Sequence, residues 1–136
     1  MEQFIYFLSL IILNFACGQI KNTHSGNYEV IDVKAFNQKI APVDGTAKDI
    51  MRMYYPAKVD GEEGNQIITV KERNLENGEV EVELIHDNML DDSVRGQKYL
   101  MVLKKEGNRW QVLSLKKNWR CWKGRGHEDW EIEPCR

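Results

Sequence analysis

Asn77-Gly78-Glu79-Val80-Glu81-Val82-Glu83-Leu84 sets an Asn-Gly pair directly before a strict alternation of acid and aliphatic side chains. Asn-Gly suits the two left-handed positions of a tight hairpin turn, and a period of two belongs to a strand with one covered face. The stretch therefore predicts a hairpin. Its first strand is Ile67–Leu75; in its second, Val80, Val82 and Leu84 turn to a core while Glu79, Glu81 and Glu83 turn to water. His86–Gly96 (HDNMLDDSVRG) reads as a polar loop. Gln97–Lys105 and Arg109–Lys117 then form a second hairpin around Glu106-Gly107-Asn108, which makes the sheet a four-stranded antiparallel meander.

Upstream the hydrophobic period changes. Tyr28–Ile40 begins extended, and Val33, Phe36 and Ile40 then fall on one helical face that Pro42 terminates. A second helix is signalled by Thr46 as N-cap, Asp49 near the N-terminal dipole, and Ala47, Ile50, Met51 and Tyr54 on one face. Pro56 ends it, because the residue before a proline is steered away from helical geometry. Two helices ahead of a meander predict an α+β domain with the helices packed on the sheet. This element order resembles that of the cystatin-like and NTF2-like superfamily, in which a curved sheet wraps an N-terminal helix. The resemblance implies that fold, and element order alone brings no activity with it.

The chain has 136 residues, 42% hydrophobic and 29% charged, and reads as a single α+β domain over 28–136. A net charge of -2 argues against a general nucleic-acid binder, which carries a basic excess. Ahead of the domain, Phe4–Leu13 (FIYFLSLIIL) is an apolar run interrupted only by Ser9. It is short for a membrane span and has the length of a signal-peptide core. Asn14-Phe15-Ala16-Cys17-Gly18 follows, with a small residue directly before a cysteine. This resembles the lipobox of bacterial lipoproteins. The resemblance implies a signal peptide over 1–16, lipid on Cys17, a flexible tether over 17–27, and a place in the bacterial cell envelope with the membrane as partner. An ordinary cleaved signal peptide and an uncut hydrophobic anchor are the other readings of the same run, and both also imply export.

Three cysteines leave an odd thiol in an exported chain; with Cys17 lipidated, Cys121 and Cys135 remain to pair. Both lie in the closing segment Arg120–Arg136, RCWKGRGHEDWEIEPCR. Four readings fit that segment. The cysteine count favours a Cys121–Cys135 disulfide that closes a loop, with Trp119, Trp122 and Trp130 covering the end of the sheet. A zinc site would use Cys121, His127 and Cys135, but the segment has no Cys-x-x-Cys pair and no second histidine, so no metal or cofactor is expected. A cysteine nucleophile activated by His127 needs a free thiolate, which a paired cysteine does not supply. A binding loop is compatible with the disulfide. Gly124-Arg125-Gly126-His127 brings backbone N–H groups and a guanidinium toward an anion, and Trp122 and Trp130 suit flat apolar faces. Glu106 is the single acid between Lys104 and Arg125, a basic excess that suits an anionic envelope ligand or an envelope protein. Taken together, Trp119, Cys121, the Gly-Arg-Gly-His run, Trp130 and Cys135 resemble the ending of small bacterial envelope proteins. That resemblance implies a compartment and brings no mechanism.

His86-Asp87-Asn88 with Asp91-Asp92-Ser93 is the remaining polar cluster. Asp, Asn and Ser serve turns, and the spacing is not that of an EF-hand. No Gly-x-Ser-x-Gly, P-loop, dinucleotide fingerprint or metalloprotease helix occurs. The sequence thus points to a non-enzymatic binding or accessory module of the envelope. Two other classes stand beside it. One is a small α+β enzyme whose polar pocket gathers His86, Asp91, Asp92 and His127. The other is an immunity- or inhibitor-type protein that works through one protein interface.

Overall fold

The computed structural model describes residues 26–57 and 64–136. In chain order these form β1 (Glu29–Val30), α1 (Lys34–Ile40), α2 (Ala47–Tyr54), β2 (Ile67–Asn74), β3 (Glu79–Asp87), β4 (Val94–Glu106) and β5 (Arg109–Cys121). The signal peptide, Cys17, the tether as far as residue 25 and the turn-rich break before Gly64 lie outside the described residues. The architecture is α+β: five antiparallel strands in the order β1-β5-β4-β3-β2, with both helices packed on the sheet.

The hairpin signal at 77–84 is realised, with Asn77 at φ 62° and Gly78 at φ 72°, as a tight primed turn requires. Three expectations are corrected. The sheet has five strands rather than four, because Glu29 and Val30 pair with Lys117 and Lys116 and cover the free edge of β5. Two residues are too short to show a period, so this strand reads only as an extended lead-in. The loop expected over 86–96 is shorter, since His86 pairs with Gln97 and Asp87 with Gly96. As part of the same correction, β5 runs past Lys117 to Cys121, still paired with β4.

Alternation decides which side chains build the core. Val82 and Leu84 of β3, Met101 and Leu103 of β4, and Val112 and Leu115 of β5 are buried against Ile40 of α1 and Ala47, Ile50 and Met51 of α2. Local chemistry fixes the helices there. Thr46 Oγ1 accepts from Asp49 N–H, and Asp49 Oδ2 accepts from Thr46 N–H at 2.9 Å, a complete capping box. Asn37 docks α1 on the bulged part of β5, donating to the Val112 carbonyl at 2.9 Å and accepting from Val112 N–H at 2.8 Å. Trp110 Nε1 donates to the Gly45 carbonyl and so ties the segment between the helices to the same strand.

The third correction concerns the other face of the sheet, expected to be wet. Glu81 is only 8% exposed, Lys98 7% and Asn118 0%. Glu81 accepts from Arg73 at 2.7 Å, a cross-strand pair directly opposite in register. This face is covered by both ends of the described chain. Asn118 Nδ2 donates to the Asn27 carbonyl, and the Lys98 ammonium sits 4.4 Å from the Trp130 ring centroid.

Ile50 is fully buried where α2 meets the sheet. Ile50→Ala should lower the unfolding free energy in urea by about 2–5 kcal/mol. Val30→Ala, at a position 72% exposed on the edge strand, should change it by less than about 0.5 kcal/mol.

Candidate functional site

The closing segment folds back on the ends of β4 and β5 as a clasp. Cys121 and Cys135 are joined by a disulfide across a sequence separation of 14. Within the loop it closes, Cys121 N–H donates to the His127 carbonyl at 2.8 Å and Arg136 N–H to the Arg125 carbonyl at 2.7 Å. Trp119 and Glu131 exchange backbone bonds in an isolated antiparallel bridge, and Trp119 Nε1 donates to the Glu133 carbonyl. Gly126 is required by contact: a Cβ there would lie 2.9 Å from Cys121 Sγ, and its φ is +144°.

Of the residues expected to form a binding tip, Gly124, Arg125 and Gly126 are exposed, while Arg125, Trp122 and Trp130 also contact the clasp and its neighbours. Arg125 Nε donates to the Asp92 carbonyl at 3.0 Å, and its guanidinium lies 3.6 Å from the Asp92 carboxylate. Trp122 Nε1 donates to the Asp91 carbonyl and stacks near the Arg95 guanidinium. Trp130 lies between Lys98 and Arg120, whose charged groups are 4.4 and 4.8 Å from its ring centroid. Arg120 in turn donates to Asp87, and Arg95 lies 3.7 Å from the same carboxylate. Burial lowers the pKa of Lys98, with Arg120 acting in the same sense and Glu83 against both.

His127 has a distinctive environment. Its Nδ1 faces the Asp129 carbonyl at 2.9 Å and its Nε2 the Glu133 carbonyl at 2.8 Å. Carbonyl oxygens only accept, so both bonds form together only when both ring nitrogens carry protons. Partial burial works against that charge, but the two carbonyl bonds and the nearby Glu133 and Glu131 outweigh it and raise the pKa above its ordinary value.

The proposed His/Asp pocket divides into separate settings. Asp91 caps its own turn, accepting from Ser93 N–H at 2.9 Å and Val94 N–H at 2.7 Å, which lowers its pKa. Asp92 belongs to Arg125, and His127 to the tail. His86 instead projects from the core face of β3 toward α2. Tyr55 O–H lies 2.8 Å from His86 Nδ1, and His86 Nε2 lies 3.0 Å from Gln66 Oε1. An amide oxygen accepts, so Nε2 carries a hydrogen, and the Tyr55 hydroxyl is placed to donate to Nδ1 of a neutral ring. Burial lowers the His86 pKa, opposed by Asp87.

Beside this trio, α2 and the sheet leave an open cleft of about 450 Å³ lined by Arg52, Tyr55, Pro56, Ala57, Ile68, Val70 and Leu84. Its lining is mainly aliphatic and aromatic, with one guanidinium. Behind it Tyr55, Tyr99, Tyr54 and Phe36 form a run of rings with successive centroids 5.0, 5.8 and 5.2 Å apart. Burial pushes Tyr99 up to about 12, with Tyr55, Tyr54 and Glu29 adding to the shift. A concave apolar pocket with a few oriented polar groups and perturbed titrating residues is the arrangement that small-molecule sites use. Sequence reasoning missed this cleft. Tyr55 and Pro56 signal a helix end, and nothing local to Arg52 or Gln66 shows that both reach the sheet. No family model, curated protein or solved structure matches the chain.

A histidine held neutral in the fold takes up its proton more readily in the unfolded chain. The stability it contributes is fully present above the unfolded value of 6.5 and is lost as pH falls from there through the lower folded value. Unfolding free energies measured between about pH 7.5 and about pH 5 should therefore fall more steeply for the native chain than for His86→Gln. Equal slopes would mean that His86 is not held neutral by its partners.

Proposed function

We propose that this chain is a bacterial envelope lipoprotein, anchored by lipid on Cys17, whose domain is a non-enzymatic binding module. The observation that carries the proposal is the pairing of Cys121 with Cys135. It uses two of the three cysteines and leaves Cys17 alone beside the apolar run and the lipobox-like Ala16-Cys17-Gly18. A disulfide also suits an oxidising envelope compartment. The order of two helices followed by a strongly paired antiparallel sheet fits a cystatin-like or NTF2-like arrangement, which by itself assigns no ligand.

The cleft supports a ligand with an apolar body and an anionic group. Ile68, Val70, Leu84 and Tyr55 line the body, and Arg52 lies at its polar side. Among the described residues Arg52 pairs with Asp49 at 3.4 Å in an exposed i,i+3 pair, an interaction weak enough to yield to a ligand carboxylate or phosphate. The Tyr55–His86–Gln66 chain keeps Tyr55 pointed away from the opening, so its ring rather than its hydroxyl meets the ligand.

Mass spectrometry of the chain purified from membranes tests the anchor. The expected N-terminal residue is Cys17 bearing acyl chains, and Cys17→Ser should lose that mass; an unmodified Cys17 sinks the lipoprotein reading. Titration with a fluorescent long-chain fatty acid tests the cleft. Binding should saturate at one site, weaken about tenfold in Arg52→Ala, and disappear when Val70→Trp fills the space. A native domain that fails to bind such an amphiphile removes the ligand class.

A further inference from the structure

We propose that Cys121, Cys135 and His127 form a redox-gated site for a thiophilic divalent cation of zinc's class. The site is closed while the cysteines are a disulfide and opens when a dithiol reductant has reduced them. The inference is independent of the cleft and of the lipid anchor.

Geometry carries it. Both sulfurs and a ring nitrogen of His127 already lie within 4.8 Å of one another. The ligands of a tetrahedral zinc ion, with Zn–S near 2.3 Å and Zn–N near 2.0–2.1 Å, stand roughly 3.5–4 Å apart. With the donors already this close, reduction of the pair and an inward movement of the imidazole complete the ligand set. The donors also suit one ion: two soft thiolates and one imidazole select zinc-like cations over calcium or magnesium.

The surroundings are organised in the same sense. A metal-bound imidazole normally donates its second N–H to a carbonyl or carboxylate, which orients the ring. His127 has such a carbonyl at each nitrogen, Asp129 O and Glu133 O, so whichever nitrogen turns to the metal leaves the other anchored. Gly126 keeps open the space beside Cys121 Sγ that a side chain would fill. Cys121 is buried at the end of β5, and Cys135 is half-buried beside it. Three protein ligands leave a fourth position for water or an incoming group, the pattern of an exchangeable site rather than a closed structural one.

The chemistry balances. A dithiol reduces the Cys121–Cys135 bond, giving two protein thiols and one disulfide in the reductant. The divalent cation then displaces both thiol protons and the proton on the ligating ring nitrogen, so loading releases up to three protons. Reoxidation by a disulfide-bearing oxidant reverses the sequence and ejects the ion.

Cobalt(II) titration of the full chain, followed by absorbance, tests the site. After reduction with a non-thiol phosphine and its removal under anaerobic conditions, one equivalent of Co(II) should give thiolate-to-cobalt charge-transfer and tetrahedral d–d bands that Zn(II) bleaches. The oxidised chain should give none. His127→Asn should weaken binding at least tenfold, and Cys135→Ser should abolish the charge-transfer band. Circular dichroism of the reduced chain accompanies each titration. A reduced chain that is folded but gives no such bands overturns the proposal. So does one that unfolds on reduction and is not restored by Zn(II), or one whose affinity is unchanged in His127→Asn.

Discussion

A single sheet has two faces, and the two helices cover one of them. The rest of the structure answers that constraint. Central strand β4 is buried on both sides: Tyr99, Met101 and Leu103 under the helices, and Lys98 and Leu100 on the reverse. A strand left half wet would carry polar residues at every second position. Here the reverse face carries charges that are nonetheless shielded, by the lead-in at 26–28 from one end and by Trp130 from the other. The tail is consequently part of the core architecture, and its disulfide is the tie that keeps a short, strand-poor segment in that position. In the chain-entropy model, closing a loop of this length contributes about 3 kcal/mol. That is a large share of the margin of a domain this size.

Much of this was legible in the sequence wherever a period was long enough to declare itself. Glu79–Leu84 alternates over six residues, and Thr46–Tyr54 combines a cap, an acid in the first turn and a helical face; both elements form as read. The failures share one cause. Partners that decide burial on the reverse face are distant in sequence: Asn118 with Asn27 and Lys98 with Trp130. Alternation predicts which face a glutamate occupies but not whether something crosses that face. The extended start at Tyr28 was legible, but its place as a fifth strand was not, since two residues gain that place from the edge of β5 rather than from their own pattern.

The candidate sites show the same division. Cysteine counting reached the Cys121–Cys135 pair without geometry, because pairing depends on number and compartment. The cleft was not reachable that way. It needs Arg52 and Tyr55 on α2 to meet Ile68 on β2 and Leu84 on β3, a coincidence of register. His86 illustrates the transition. Read as a loop residue, it belongs with Asp91 and Asp92; as the eighth residue of β3 it turns to the opposite side and joins Tyr55 and Gln66. One position of strand extension changes which face a side chain occupies, and with it the chemistry the side chain serves.

His86 and His127, two of the three histidines, differ electrostatically. His86 sits against aromatic rings with one donor and one acceptor as partners, and the fold keeps it uncharged. His127 sits against two carbonyls with Glu131 and Glu133 near, and the fold favours its charge. His86 lies beside the cleft under α2, and His127 lies in the clasp beyond the end of β5. Gly26 and Asn27, where the described chain begins, are held on the clasp side by Asn118 and by Glu131 Oε2. The cleft opens on the helix side. Because β1 pairs with β5, the first and last parts of the described domain are neighbours, and the disulfide-closed tail packs beside the start of the described chain.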